Sequence, residues 1–540
     1  MSAPLQPKGQ PAATLVPADL LCDRHDPAAS AFTIVDADLN ATELSYAWLQ
    51  DRSEQAAAAF EALGVKPGDR VATLMGKSAN LVVVLMGLWR LGAVHVPLFT
   101  AFASEAIRVR VERSGAAVVV VDAGQRNKLI DDGLAEELDL QLIIAGGEAE
   151  PSDSELSLDP LLDSHAPGFP PASLTLADPL VEIFTSGTTG SPKGVPVPVS
   201  ALVAFEAYMH YGLDVAADDI FWNAADPGWA YGLYYGILGP LYAGRTSLLL
   251  TTGFDPELAW RVLEKFRITN FAAAPTIFRT MRAARPDGGK GLALRRASSA
   301  GEPLDADTIE WSRRHLGTEI RDHYGQTEMG MCIVNGWHDE IRTELRPGSM
   351  GQPMPGYTTA VLEMESDKPA EPGTTGRVAI DVPSSTLMWF AGYTGEPEKT
   401  ADRYSADGRW YITGDSGRVD EDGFFFFSSR DDDVVIMAGY RIGPFEVESV
   451  MSTHPAVAEV AVIGVPDELR GERLEACVVL ASAAAQGGQQ NTELETDLQQ
   501  LVKKQYAAHA YPRTVHFVSE LPKTPSGKIQ RFLLRQQFGG

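Results

Sequence analysis

Thr185-Ser186-Gly187-Thr188-Thr189-Gly190-Ser191-Pro192-Lys193-Gly194 is the stretch from which the rest of this chain can be read. It combines three glycines, a run of hydroxyls and one lysine in ten residues. Glycine allows positive φ and lets backbone N–H groups close on an anion. The hydroxyls add donors and Lys193 adds charge. A loop of this kind suits a polyphosphate, and it follows the apolar strand Val181-Glu-Ile-Phe184, where a flexible linker is out of place. It is not a Walker A loop, because Pro192 stands five positions after Gly187 where that pattern needs glycine. Gly76-Lys77-Ser78 fails the same test, since Val71 occupies the position of the first glycine.

Around this loop the sequence alternates helix and strand. Tyr46 to Leu63 and Ala79 to Leu91 read as helices. Arg70 to Leu74, Val118-Val-Val-Val-Asp122 and Gln141-Leu-Ile-Ile-Ala145 read as strands, rich in β-branched residues and buried on both faces. The apolar stretch Leu81 to Leu98 is broken by Gly87, Arg90 and Gly92, so it reads as buried helix, turn and strand instead of a membrane span. Residues 146–178 are polar and Pro-rich, a connecting loop. Around 350–430 short strands with Gly and Pro turns predict a β-rich subdomain. The charged run Ser428-Ser-Arg-Asp-Asp-Asp433 predicts a break, followed by a small α+β unit of strands and helices. The fold class is therefore a large α/β N-terminal domain of layered parallel sheets plus a β-rich subdomain, and a small α+β C-terminal domain.

Composition narrows the function. At 540 residues and 44% hydrophobic the chain supports more than one core. Its formal charge of −27 argues against nucleic acid and anionic membranes. That acidity reverses at the end: beyond Leu501 stand Lys503, Lys504, Arg513, Lys523, Lys528, Arg531 and Arg535 against Glu520 alone. These cations either pair with acids of the same chain or attend an anionic ligand. Cys22, Cys332 and Cys477 have no metal-ligand spacing and suggest no disulfides. With no signal pattern at the N-terminus, the expected location is the cytoplasm.

Four more segments face a ligand in this reading: Ser299-Ala-Gly-Glu-Pro-Leu304, Asp322-His-Tyr-Gly-Gln-Thr-Glu328, Tyr411-Ile-Thr-Gly-Asp415 and Leu521-Pro-Lys-Thr-Pro-Ser-Gly-Lys528. With the 185–194 loop and in this order, they resemble the adenylate-forming superfamily, from about residue 45 to 535. Ala225-Asp-Pro-Gly-Trp-Ala230 and Gly439-Tyr-Arg-Ile-Gly-Pro-Phe-Glu-Val-Glu448 are similar to its short- and medium-chain acyl-CoA synthetase branch.

The resemblance implies ATP, Mg²⁺ and coenzyme A as reactants and ligands. It implies domains at 1–430 and 433–540, with a hinge near 431–432. Thr185, Ser186, Gly187, Thr188, Thr189, Gly190 and Lys193 would hold the β- and γ-phosphates. Gly301, Glu302 and Pro303 would line the adenine, Tyr324 would stack on it, and Asp322 or its neighbours His323, Gly325 and Gln326 would complete that pocket. Thr327 would bond the α-phosphate, Glu328 would ligate Mg²⁺, and Asp415 with Arg430 would take the ribose. Arg441 would favour phosphate. Lys528 would bridge the α-phosphate and the substrate carboxylate, as a catalytic group with Thr327 and Glu328. Asp432 matches the hinge position. After rotation of the mobile small domain, Ala438, Gly439 and Tyr440 would face a pantetheine tunnel, with Arg470 and Tyr511 on coenzyme A. Trp229, Tyr231 and the side-chain-free Gly325 would shape the acyl pocket, and Gly325 predicts an acid longer than acetate. Lys528 lies in a segment similar to a lysine acetylation site, which implies an acetyltransferase and deacetylase as partners; an oligomer is compatible.

Ser429 and Ser416 depart from the usual residues beside Arg430 and Asp415 without removing a catalytic group. Three alternatives stay open: an adenylation enzyme loading a carrier protein, an aryl-CoA ligase, and a nucleotide-binding scaffold with a degenerate site.

Overall fold

The computed structural model of the chain describes residues 14–131, 133–147, 152, 155–185, 192–430, 433, 435–437, 440–467, 471–481, 488–506, 510–523 and 529–539. The predicted helices form at Tyr46–Ala62 and Ala79–Leu91. Each opens on a serine whose hydroxyl accepts a backbone N–H of the first turn: Ser45 from Trp48 and Ser78 from Leu81. Gly92 ends the second helix, and Val94–Pro97 returns as a strand, as the broken apolar run predicts.

Two large sheets follow. The first has seven strands, in the order 193–198, 179–185, 94–97, 70–74, 118–122, 141–145, 155–157. All its pairings are parallel except the hairpin of β1 (Pro179–Thr185) with β2 (Lys193–Pro198), in which Thr185 lies opposite Lys193. The Val118–Val121 run is buried in this sheet, each side chain contributing about 1.5–3 kcal/mol.

The second sheet has thirteen strands. Parallel strands 296–300, 270–273, 221–223, 247–250 and 30–35 run outward from β3 (Ile320–Gln326). On the other side of β3 the pairing turns antiparallel through β4 (Gly330–Val334) and the strand 349–353, then β6 (Phe425–Arg430) and β5 (Trp410–Val419). The β-rich stretch around 350–430 is therefore an extension of the main sheet instead of a separate layer, because the strand 349–353 pairs with both β4 and β6. The 146–178 connection also holds more structure than its Pro-rich text predicts, with a strand at Glu155–Ser157 and a helix at Leu158–Asp163.

Beyond residue 433 a five-stranded sheet carries its own core of Val447, Met451, Val462, Leu474, Leu498 and Val502. Helix α1 (Pro444–Met451) and helix α2 (Arg531–Phe538) pack on its strand Val457–Asp467. Several basic residues of the C-terminal stretch pair within this unit. Arg531 donates twice to Glu448, at 2.7 and 2.8 Å, Arg535 donates to Asp433 at 2.6 Å, and Lys523 lies 2.7 Å from Glu459. The three cysteines are free and buried, and burial pushes the Cys22 and Cys477 thiols up to about 12. Among the described residues no helix is long and apolar enough to cross a membrane.

Candidate active site

Three of the ligand-facing segments, 299–304, 322–328 and 411–415, belong to or follow strands of the second sheet, and strand register sets the first two side by side; residues 524–528 of the segment 521–528 lie outside the described residues. Strands 296–300 and β3 are parallel neighbours, with Ser299 opposite Asp322 and Ala300 opposite His323. The turn at Gly301 thus starts beside Tyr324. Gly301 adopts φ +97°, which a residue with a Cβ reaches only under strain. Glu302 is engaged by Thr276, at 2.8 Å, and by Arg279, at 2.7 Å, which fixes the turn.

Beneath this turn the Asp322 carboxyl and the Ser299 hydroxyl lie close enough to interact, but two of their atoms, the buried Asp322 Oδ1 and Ser299 Oγ, fall short of a well-formed hydrogen bond. Burial holds the Asp322 carboxyl well above the usual carboxylate range. Such groups are uncommon in a native fold and fit a polar ligand edge laid over the turn.

Asp415 is the centre of the best-defined polar network. It is buried in the middle of β5. Its Oδ2 accepts from Tyr324 Oη at 2.5 Å and from Gln326 Nε2 at 2.7 Å. Gln326 also donates to the Thr413 carbonyl at 2.9 Å and accepts from the Tyr411 hydroxyl at 3.1 Å. The motifs 322–328 and 411–415, far apart in the chain, are thereby locked together by side chains. Backbone pairing sets Asp415 opposite Arg430.

Glu328 lies in the turn between β3 and β4, 8% exposed, and its Oε1 accepts from the Tyr393 hydroxyl at 2.7 Å. Lys193 Nζ sits 4.8 Å from the centroid of the same ring. The carbonyl of Thr327 accepts from Tyr234 at 3.0 Å. Among the described residues no three His, Cys, Asp or Glu side chains could together hold a metal ion. A single buried carboxylate nevertheless fits Mg²⁺ arriving on phosphate oxygens, the usual way that ion is bound.

Three expectations are revised. His323 does not present its imidazole to a ligand. Nδ1 bonds Tyr208 Oη at 2.6 Å and Nε2 bonds the Asn335 carbonyl at 3.3 Å, and burial pushes its pKa down to about 3. Gly325 does not open an acyl tunnel. A Cβ there would stand 2.1 Å from the Gly330 carbonyl oxygen and 2.7 Å from Met331 Cα, so the space is filled by backbone of the β3–β4 hairpin at its bulge. Gly325→Ala should cost about 1–3 kcal/mol through overpacking, read by denaturant unfolding. A variant as stable as the parent, with altered acid preference, would restore the tunnel reading. Tyr511 is engaged within the small unit, with Lys503 Nζ 3.9 Å and Arg513 Cζ 3.7 Å from its ring centroid, which favours a packing role.

Trp229 packs on Phe99 and Phe102, with centroids 5.3 and 5.6 Å away. Tyr231 is half-buried and bonds Tyr208 at 3.1 Å. Ser186, Gly187, Thr188, Thr189, Gly190, Asp432, Ala438, Gly439, Arg470 and Lys528, with the side chains of Arg430, Tyr440 and Arg441, lie outside the described residues.

Residues 24–393 match the family of AMP-binding enzymes, and residues 446–528 match the AMP-binding enzyme C-terminal domain. The chain belongs to the AMP-binding enzyme family. Among curated relatives of the family, the acetyl-coenzyme A synthetase of Bacillus subtilis is 34% identical over 87% of this chain and 81% of its own. The mouse mitochondrial acyl-coenzyme A synthetase ACSM3 is 33% identical over 88% and 81%. Among solved structures, an acyl-CoA synthetase of Brucella canis is 42% identical, with a TM-score of 0.74 over 98% of this chain and 95% of that one. The family membership was legible from the motifs. Tyr393 and Tyr411 were not singled out as site residues, although Tyr411 opens one of the motifs; Tyr393 sits in Phe390-Ala-Gly-Tyr393, where no local pattern marks it.

Proposed function

We propose that this protein is an AMP-forming acyl-CoA synthetase acting on a short- to medium-chain carboxylic acid. The observation that carries the reading is the Asp415–Tyr324–Gln326 network. It sets a buried acceptor and an aromatic ring at fixed separation beside a turn over the buried Asp322–Ser299 pair, which lacks a well-formed hydrogen bond, an arrangement suited to a ribose and its base. Relatives named acetyl- and acyl-coenzyme A synthetases support the same class.

In this proposal the 185–194 stretch holds the β- and γ-phosphates, the Gly301–Pro303 turn and Asp322 take the adenine, and Asp415 and Arg430 take the ribose. Thr327 bonds the α-phosphate and Glu328 holds Mg²⁺, which supplies charge neutralisation on the phosphates when bound. The substrate carboxylate oxygen attacks the α-phosphorus, the bond to pyrophosphate breaks, and acyl-AMP forms. Lys528 neutralises charge building on that phosphate. The smaller domain, 433–540, then rotates about 431–432 and removes Lys528 from the path of the thiol. Coenzyme A, held by Ala438, Gly439, Tyr440 and Arg470, attacks the acyl carbonyl, and AMP leaves with the electron pair of the broken C–O bond. Trp229 and Tyr231 bound the acyl pocket, which their bulk keeps short. Acetylation of Lys528 would remove its charge and stop the first step.

The test is the enzyme with ATP, Mg²⁺, coenzyme A and a panel of acids, following pyrophosphate and acyl-CoA mass. Acid-dependent pyrophosphate with matching acyl-CoA is expected. Pyrophosphate without acyl-CoA from any acid would favour carrier loading. No acid-dependent pyrophosphate would overturn the reading.

A further inference from the structure

Lys193, Glu328 and Tyr393 come from three separate elements: the start of β2, the β3–β4 turn, and the loop after Phe390. Tyr393 touches both of the others. Its hydroxyl donates to the buried Glu328 carboxylate at 2.7 Å and its ring lies 4.8 Å from the Lys193 ammonium. The next residue holds the same strand by backbone, Thr394 N–H donating to the Gly194 carbonyl at 2.9 Å. The loop is itself tied down. Tyr393 N–H donates to Thr400 Oγ1 at 2.9 Å, and Glu396 pairs with Arg113 of the helix Ser104–Ser114 and with Lys399 at 3.0 Å.

A carboxylate with rotational freedom loses entropy when it captures a cation, and one already aimed loses less. A lysine over an aromatic face is held without losing its charge. We propose that Tyr393 is a positioning residue of the nucleotide site, fixing the Glu328 carboxylate and the Lys193 ammonium relative to one another so that cation and polyphosphate are met together. This rests on the functional reading above and assigns a residue to it that no motif marks.

The experiment is calorimetry of ATP binding to the full chain with and without Mg²⁺, for the parent, Tyr393→Phe, Tyr393→Leu, Glu328→Gln and the double variant Tyr393→Phe with Glu328→Gln. Phe keeps the ring and removes only the hydroxyl. Tyr393→Phe should lose roughly tenfold of the affinity that Mg²⁺ adds, the scale of one hydrogen bond to a charged group. Its affinity without Mg²⁺ should stay within about twofold, because Lys193 keeps its aromatic face. Tyr393→Leu should weaken ATP in both conditions. In the Glu328→Gln background, Tyr393→Phe should add less than about twofold, the non-additivity of two residues acting through one contact. If the parent binds MgATP and Tyr393→Phe keeps the full Mg²⁺ gain, or if the two substitutions multiply, the positioning role is overturned while the functional reading stands. If the parent binds no ATP, both fall.

Discussion

Lys528→Ala is expected to abolish adenylate formation while leaving thioester formation from supplied acyl-AMP largely intact. The two half-reactions ask different things of this side chain. In the first, charge accumulates on the α-phosphate as the carboxylate attacks, and a preorganised cation is worth about 3–4 kcal/mol in the transition state, or roughly 10²–10³ in rate. In the second, the leaving group is AMP and the attacking atom is a thiolate sulfur, so an ammonium in the cleft would only obstruct. Pyrophosphate exchange measures the first step alone, and acyl-CoA produced from synthetic acyl-AMP measures the second. Equal loss of both would remove Lys528 from this role and point to a folding defect instead.

Asp415→Ala should weaken ATP by about 10²–10⁴, on the basis of two hydrogen bonds from ribose hydroxyls to a charged acceptor at about 1.5–3 kcal/mol each. It should also lower stability, because the Tyr324 hydroxyl and one Gln326 N–H lose their acceptor inside a buried site, and an orphaned donor costs about 1–3 kcal/mol. Asp415→Asn separates the two effects. Its amide oxygen still accepts from Tyr324, so stability should recover more than affinity does. Calorimetry for ATP and denaturant unfolding without ligand read the two quantities independently. An Asp415→Ala protein that binds ATP within about threefold of the parent would take the ribose away from this carboxylate.

Local pattern accounts for much of the fold. The β-branched runs at 118–122 and 141–145 became strands with the expected ends, since strands buried on both faces need continuous apolar text. The candidate site was legible as short motifs, and the structure brings two of them, 322–328 and 411–415, into contact. Long-range pairing was not legible. Gly325 read as an open space because the approach of Gly330 and Met331 depends on a bulge two strands share, which no window of sequence displays. His323 read as a neighbour of the base because it adjoins Tyr324; alternation along β3 turns its ring the other way, onto Tyr208. Tyr393 escaped notice because its partner Glu328 is 65 residues away and neither position predicts the other.

The Asp415–Arg430 pairing is the last rung of the ladder joining β5 to β6 before residue 431. Hydrogen-bonded strands resist sliding, so this rung acts as an anchored gatepost: in the proposed mechanism, where the smaller domain rotates, the proposed ribose site keeps its place. An intermediate tethered there would ride through the change of half-reaction without being released and recaptured, and a reactive anhydride would spend no time in water.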